Sequence, residues 1–150
     1  MAINQDLYKA KQQWAIQVVN TAKANLLRYG KINTGDLSNS IRFVITPSGT
    51  IKFYYLKYGV FVELGRRAGD RQPPVNAILR WIQQRGITPD AGKSTRSLAF
   101  AIARSIGENG YPGVPFFRAA VKSEKKKLTG ALKKAISKSI IKTFKTNITI

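Results

Sequence analysis

The basic residues of this sequence far outnumber its acidic ones, and this imbalance limits how the chain can pack. Its 150 residues include 26 lysines and arginines but only 7 aspartates and glutamates, a formal net charge of +19. Because charge of one sign repels itself in a compact state, the basic side chains must lie on exposed surfaces or face anionic partners. We therefore expect a folded unit that works through contact with nucleic acid or with acidic protein surfaces.

The rest of the composition is that of a globular domain with little catalytic chemistry. Hydrophobic residues make up 43% of the chain, as in ordinary folded proteins, and this length suits one domain. Histidine and cysteine are absent, so the commonest general bases, nucleophiles and metal ligands are missing, and no disulfide can form. We expect no enzyme activity, no catalytic residue, no metal and no cofactor.

Apolar periodicity predicts a helix followed by a hairpin. Apolar residues recur at steps of three and four over residues 5–29, as in an amphipathic helix, and Gly30 is its expected end. The period changes to two over 41–45 and again over 51–55, on either side of a Pro-Ser-Gly turn. These two segments predict an antiparallel β-hairpin with an aromatic face. Segment 58–64 is either a third strand or a tight helical turn.

Loops and shorter helices are expected next. Residues 65–74 form a basic loop with little reason to be ordered. A proline in the first turn and a terminal glycine predict a helix over 74–86. Another helix spans 96–106, capped by the serine or the threonine before it, and 107–113 is a connection.

The last predicted helix, which Pro115 opens, is the most basic part of the chain. From Pro115 onward, ten basic residues accompany Glu124 alone. Lysines cover the helix outside an apolar stripe that runs to Phe144, so this surface either contacts an anionic partner or is a solvated face. The tail over 146–150 alternates like a strand that could pair with a sheet edge.

These elements predict the α+β class: one domain with a small antiparallel sheet built on the β-hairpin, packed by N-terminal, central and long basic C-terminal helices. Residues 1–125 form its main part, and 126–150 form a basic C-terminal helix extension and tail of the same domain. No apolar run is long enough to span a bilayer, and the first residues do not resemble a secretion signal. We expect an intracellular protein with no membrane partner.

Two functional patterns are approached without being completed. The sequence Gly-Lys-Ser-Thr over 92–95 is similar to the end of a phosphate-binding loop, but the first glycine of that pattern would fall on Ile87, so a helix cap is favoured. Basic and aromatic residues mix over 54–58, as in platforms that stack nucleic-acid bases. Tyrosines in a hairpin are more often half-buried sheet residues.

Three segments, taken in order, resemble a family of tailed-bacteriophage morphogenesis proteins, the small neck or tail-completion (head–tail joining) proteins. The segments are Thr34-Gly35-Asp36-Leu37-Ser38-Asn39-Ser40-Ile41, Tyr58-Gly59-Val60-Phe61-Val62-Glu63-Leu64-Gly65 and Gly113-Val114-Pro115-Phe116-Phe117-Arg118-Ala119-Ala120. The resemblance covers roughly residues 5–125 and includes a long helix on each side. It departs from many members at Arg66, where they have threonine, and in the lysine-rich extension past residue 125.

The resemblance implies a non-enzymatic virion structural protein, located in the neck or tail region and assembled in the host cell cytoplasm. Such a protein forms a homo-oligomeric ring that joins the connector to the tail around the DNA channel. Its partners would be virion proteins on the portal (connector) side and on the tail-tube side, with non-specific contact to genomic DNA as a further expectation. The alternative from charge alone is a non-specific nucleic-acid-binding protein.

The motif residues are expected to be structural. Thr34 and Asp36 would cap the chain or turn it into the hairpin, and Gly35 would supply a backbone conformation open to glycine. Glu63 would accept N–H bonds from the loop that follows it or pair with Arg66 or Arg67. The full set is Thr34, Gly35, Asp36, Leu37, Ser40, Tyr58, Phe61, Glu63, Gly65, Pro115 and Phe116.

Two of these residues would fix the last helix, and others are open to a second interpretation. Pro115 and Phe116 would start that helix and pin it on the core. Direct contact with a partner by Tyr58, Phe61 or Phe117 is the alternative. The candidate contacts to DNA or to an acidic partner are Arg66, Arg67, Arg71, Lys125, Lys126, Lys127, Lys133, Lys134, Lys138 and Lys142.

Overall fold

Six helices and four short strands make up the part of the chain that the structure, a computed structural model, describes, residues 5–147. In chain order they are α1 (Gln5–Arg28), α2 (Asp36–Ser40), β1 (Arg42–Ile45), β2 (Ile51–Tyr54), α3 (Gly59–Leu64), β3 (Gly65–Arg66), α4 (Val75–Arg85), α5 (Thr95–Asn109), β4 (Tyr111–Pro112) and α6 (Phe116–Asn147). The α+β class and the single small domain are confirmed.

The frame of the fold is an antiparallel pair of long helices, α1 and α6. The amide of Asn25 donates to the carbonyl of Phe116 at 2.9 Å near one end, and the indole N–H of Trp14 donates to the carbonyl of Glu124 at 2.9 Å. The apolar stripe of α1 faces this seam and is buried: Ala15, Val18, Val19, Ala22 and Leu26. The helix predicted over 5–29 is confirmed to within one residue.

The β-hairpin lies across this helix pair and is also confirmed. Strands β1 and β2 are antiparallel, with Phe43 opposite Phe53. The ring of Phe53 meets the rings of Trp14 and Phe117 edge-on, at centroid distances of 6.0 and 5.2 Å. Edge-to-face aromatic contacts add to the burial of apolar area, so the aromatic face of the hairpin is what attaches the sheet to the helices.

The second helical layer, α4 and α5, packs mainly against itself. Ile82 of α4 and Ala99 and Ala103 of α5 are buried. The cap of α5 is Ser94, whose hydroxyl accepts the N–H of Ser97 at 3.1 Å. The predicted end of this helix at residue 106 is wrong.

Helix α5 continues through Gly107 to Asn109 because that glycine lies against another segment. A Cβ at Gly107 would be 3.0 Å from the Cβ of Gln72, and its carbonyl accepts the N–H of Gly69 at 2.8 Å. These tertiary contacts outweigh the low helix propensity of glycine.

The segment 65–74, expected to lack order, is fixed by hydrogen bonds. Residues of β3 pair with β4, Gly65 opposite Pro112 and Arg66 opposite Tyr111. Within the segment, Asp70 accepts the backbone N–H of Arg67 at 3.1 Å. The prediction failed because β4 lies far from β3 in sequence and a two-residue ladder has no period.

Two other expectations are decided by the structure. Segment 58–64 is helical, since it forms α3, and it is not a third strand. The strand expected over 146–150 is wrong for residues 146 and 147, which belong to α6, and residues 148–150 lie outside the described part. Among the described residues, no helix combines the length and hydrophobicity needed to cross a bilayer.

Candidate functional site

The three motif segments meet in one place, beginning with the first and the second. Leu37 of α2 is buried, and Gly59 of α3 lies directly against it. A Cβ at Gly59 would come within 2.7 Å of a methyl group of Leu37 and within 2.6 Å of the ring of Tyr55. The hydroxyl of Ser40 accepts the N–H of Leu56 at 3.0 Å. Leu37 and Ser40 thus hold the first segment against the chain that leads into the second.

Glu63 connects the second segment to the third. Its Oε2 accepts the backbone N–H of Phe117 at 2.9 Å, and its Oε1 accepts the backbone N–H of Arg118 at 3.1 Å. These are N–H groups of the first turn of α6, which have no partner within the helix and which favour a negative charge. The expectation that Glu63 bonds to the following loop or pairs with Arg66 or Arg67 is therefore wrong.

Backbone packing reinforces this connection at Gly65. Its φ is +73°, and a Cβ there would overlap the carbonyl oxygen of Tyr111 and the amide nitrogen of Gly113. Next to it, the N–H of Val114 donates to the carbonyl of Val62 at 2.8 Å. Only glycine combines this conformation with so close an approach of two backbones.

The turn before α2 is built differently from a helix cap. The residue at the cap position is Gly35, with φ +87° and no side-chain hydrogen bond. The hydroxyl of Thr34 donates to Oδ2 of Asp36 at 2.5 Å and lies 3.4 Å from the backbone N–H of Asp36. Thr34 and Asp36 therefore turn the chain locally, and neither caps the helix with its side chain.

The start of α6 is anchored by aromatic packing. Phe116 is fully buried, and its ring lies 5.5 Å from that of Tyr55. The carbonyl of Pro115 accepts the N–H of Ala119 at 3.0 Å, so Pro115 stands just before the helix. Phe117 packs against Phe53 and Tyr55. It is partly buried against the core, and a partner contact by its exposed part stays a prediction.

Tyr58 and Phe61, in contrast, are about half exposed on the outer side of α3. The guanidinium of Arg66 lies 5.2 Å from the centre of the Phe61 ring. Burial, and less strongly the charge of Asp36, raise the pKa of Tyr58. Val60 and Leu64 are exposed beside them, so this short helix presents an apolar surface.

Tyr58 also lines a cleft of about 440 Å³ between the turn before α2, α3 and α4. Trp81 and Arg85 of α4 and Lys31 form other parts of its wall. The pattern over 92–95, weighed as a phosphate loop, provides the cap of α5 and lies outside this cleft. Among residues 5–147, no three acidic side chains gather closely enough to hold a metal ion.

The candidate basic contacts fall into two separate groups. Arg66, Arg67 and Arg71 lie in or next to the segment paired with β4, and the guanidinium of Arg66 donates to the carbonyl of Arg71 at 2.6 Å. The lysines lie along α6, where about 26 Å of helix separates Lys125 from Lys142. The fold does not merge the arginine group and the distal lysines into one patch.

The lysines of α6 also differ in their surroundings. Lys127 pairs with Glu124 at 2.9 Å, and Lys138 lies 4.0 Å from Asp6. Others are exposed: Lys125, Lys126, Lys133 and Lys134. This second set presents charge to a partner without first breaking an ion pair.

The apolar stripe predicted for α6 is buried only in part. Ala135 is buried, but Ile136, Ile140 and Phe144 are exposed, as is Ile141, which lies outside the stripe. The reason is geometric, since Ile140 and Phe144 lie on the side of α6 opposite Glu124 and Ala135, the buried residues that pack toward α1. Sequence reasoning identified the stripe but not which part of it stays uncovered, and so missed an exposed apolar surface.

Comparison of the chain with protein-family models, with curated proteins and with solved structures finds no match. Its function must therefore be inferred from its own residues and their geometry.

Proposed function

We propose that this chain is a non-enzymatic structural protein of a tailed-bacteriophage virion, located at the head–tail junction. In this role it forms a ring of identical subunits that joins the connector to the tail around the DNA channel. The partners of the ring are virion proteins on the portal side and on the tail-tube side, and assembly takes place in the host cytoplasm.

The observation that carries the proposal is the convergence of the three motif segments. Leu37 of the first packs on Gly59 of the second, and Glu63 of the second accepts N–H bonds from Phe117 and Arg118 of the third. Chance matches scattered along a chain have no reason to form one contiguous unit. Their contact supports the resemblance to the neck and tail-completion proteins as a whole.

The charge supports a place among anionic neighbours. Subunits of +19 repel one another in a ring, so their basic surfaces must point toward acidic proteins or DNA. The outer side of α6 and the segment 65–74 are the two surfaces that meet this condition. Closed rings of one subunit type need only one kind of contact between two different patches, which a small domain can supply.

The decisive experiment uses the phage that encodes the chain. A nonsense mutation in its gene should yield DNA-filled heads and separate tails, visible by electron microscopy, and added purified protein should restore joined, infectious particles. Joined and infectious particles formed without the chain would refute the proposal. The control is the same extract supplemented with a Glu63→Gln variant, which retains the charge of every basic surface.

The second candidate is a non-specific nucleic-acid-binding protein, which the exposed lysines on α6 favour. If six or so lysines contact phosphates, the logarithm of the binding constant should fall with the logarithm of salt concentration with a slope of about −5. Micromolar binding to arbitrary duplexes, with this slope and no requirement for virion proteins, would favour the second candidate over the first.

A further inference from the structure

The outer face of α6 has an order of charge and apolarity that a merely solvated face does not need. Counting along the helix at steps of four, seven, seven and four residues gives one straight stripe: Lys122, Lys126, Lys133, Ile140 and Phe144. We call this stripe the outer face. Its first three residues are cationic, its last two are apolar, and they extend over about 33 Å.

The outer face points away from the rest of the fold. The buried positions of α6 that pack toward α1 include Ala120, Glu124 and Ala135, and they lie on the other side of the helix. Ile140 is 50% exposed and Phe144 is 63% exposed. Among the described residues, none of the three lysines of the outer face has a carboxylate partner.

We propose that the outer face docks an acidic, amphipathic segment of another protein. Carboxylates of that segment would lie opposite Lys122, Lys126 and Lys133, and its apolar side chains would cover Ile140 and Phe144. This is helix recognition by one apolar contact with flanking charge pairs that fix orientation. The surface is independent of the head–tail assignment, and only the identity of the partner as a virion protein rests on the proposed function.

A second copy of this chain does not fit the outer face. Glu63 and Glu124 are buried, and Asp90 and Glu108 already pair with basic neighbours on their own surface. A copy would therefore bring a charge of +19 and few carboxylates to a face that carries three lysines. Like charges placed together at an interface disfavour association.

DNA would make favourable contacts with only the cationic half of the outer face. Phosphates would attract the three lysines, but Ile140 and Phe144 would then be held against a charged backbone where their burial gains little. An anionic membrane is disfavoured for a related reason. An interfacial helix needs an apolar face along its whole length, and here lysines occupy the first half of the same face.

The test uses the intact protein and a labelled helical peptide with glutamates on the first half of one face and leucines on the second half. Fluorescence anisotropy compares it with a scrambled peptide of the same composition, with polyglutamate and with a short DNA duplex. We expect the amphipathic peptide to bind at least about tenfold more tightly than polyglutamate or the scrambled peptide, since burying Phe144 and Ile140 adds apolar contact.

Variants identify the surface. The pair Ile140→Ser and Phe144→Ser should weaken peptide binding about tenfold or more. The matched control is Phe100→Ser on α5, which changes a phenylalanine of similar exposure and should leave binding unchanged. Lys126→Gln with Lys133→Gln should weaken binding and reduce its salt dependence. Circular dichroism should show the same helicity for all of them, because the altered side chains are exposed.

Three results would overturn the proposal. Equal binding of polyglutamate and of the amphipathic peptide, unaffected by the Ile140/Phe144 variant, would reduce the face to a general cation surface. Tighter binding of the duplex than of the peptide would assign it to nucleic acid. Self-association in sedimentation that the Ile140/Phe144 variant abolishes would assign it to a second copy. None of these measurements involves particles, so their failure is separate from failure of the head–tail assignment.

Discussion

Glu63 accepts the backbone N–H of Phe117 at 2.9 Å, although 54 residues separate them in the chain. The second oxygen of the same carboxylate accepts the N–H of Arg118, so one side chain satisfies two of the N–H groups that open α6. Because Glu63 is also buried, this contact fixes α3 against the start of the long helix.

Replacing Glu63 tests this connection. Glu63→Gln keeps one acceptor oxygen but loses the second acceptor and the negative charge at the helix N-terminus, so we expect a loss of about 1–2 kcal/mol in the free energy of unfolding. Urea unfolding followed by circular dichroism measures it. The control is Glu108→Gln, which breaks an exposed pair with Arg104 and should cost less than about 0.5 kcal/mol. Equal losses for the two variants would contradict the role of Glu63.

Truncation of two phenylalanines of α6 should change the free energy of unfolding by very different amounts. Phe116→Ala removes a fully buried ring that contacts Tyr55 and should cost about 3–5 kcal/mol. Phe144→Ala removes a ring that is already largely in solvent, so the free energy of unfolding should change by no more than about 0.5 kcal/mol. Chemical denaturation of both variants under one set of conditions decides the point. A large loss for Phe144→Ala would mean that the distal helix is packed.

Gly65→Ala should destabilise the protein more than Gly92→Ala. Both glycines have positive φ, +73° and +83°, so both alanine variants carry a conformational cost of about 1–3 kcal/mol. Only at Gly65 would the new methyl group overlap neighbouring backbone atoms, because nothing lies within 4 Å of a Cβ at Gly92. Thermal unfolding of the pair isolates the effect of close packing. Similar melting temperatures would show that β3 and β4 can separate without cost.

The stability of the protein should fall in base, partly through Tyr55. Burial, and then the nearby Glu63 carboxylate, raise the pKa of Tyr55 above its unfolded value of about 10. A raised pKa stabilises the folded state below pH about 10, and this contribution is lost as pH rises through the higher folded value. Tyr55→Phe has no proton to lose, so its melting temperature should decline less between pH about 9 and 11 than that of the wild type. Parallel declines would exclude this contribution.

The elements that sequence predicted are those whose burial is periodic. The apolar stripe of α1 is one example. The alternation of apolar and polar residues around Phe43 and around Phe53 is another. Both patterns arise because one face of the element lies against a core. The pairing of Gly65 with Pro112 could not be predicted in this way, since a two-residue ladder has no period. The hydrogen-bond partners of Glu63 could not be predicted either, because the sequence does not indicate which distant helix a carboxylate will contact.

The candidate site also has parts that the sequence predicted and a part that it did not. Its motif residues were identified from their order in the sequence, and its lysines from the scarcity of acids after Glu124. The exposure of Ile140 and Phe144 depends on which side of α6 packs against α1. A periodic stripe shows which residues share a face, but it does not show whether another element covers that face along its full length.

The two tryptophans occupy the two different layers of the fold, and this provides optical reporters of each. Trp14 donates to Glu124 at the seam of α1 and α6, whereas Trp81 is partly exposed on α4. The tryptophan fluorescence of a Trp81→Phe protein would therefore report on the seam of α1 and α6 alone, and that of a Trp14→Phe protein on the layer of α4 and α5 alone. Their emission spectra during denaturation would show whether both layers unfold in one step or whether α4 and α5 detach first.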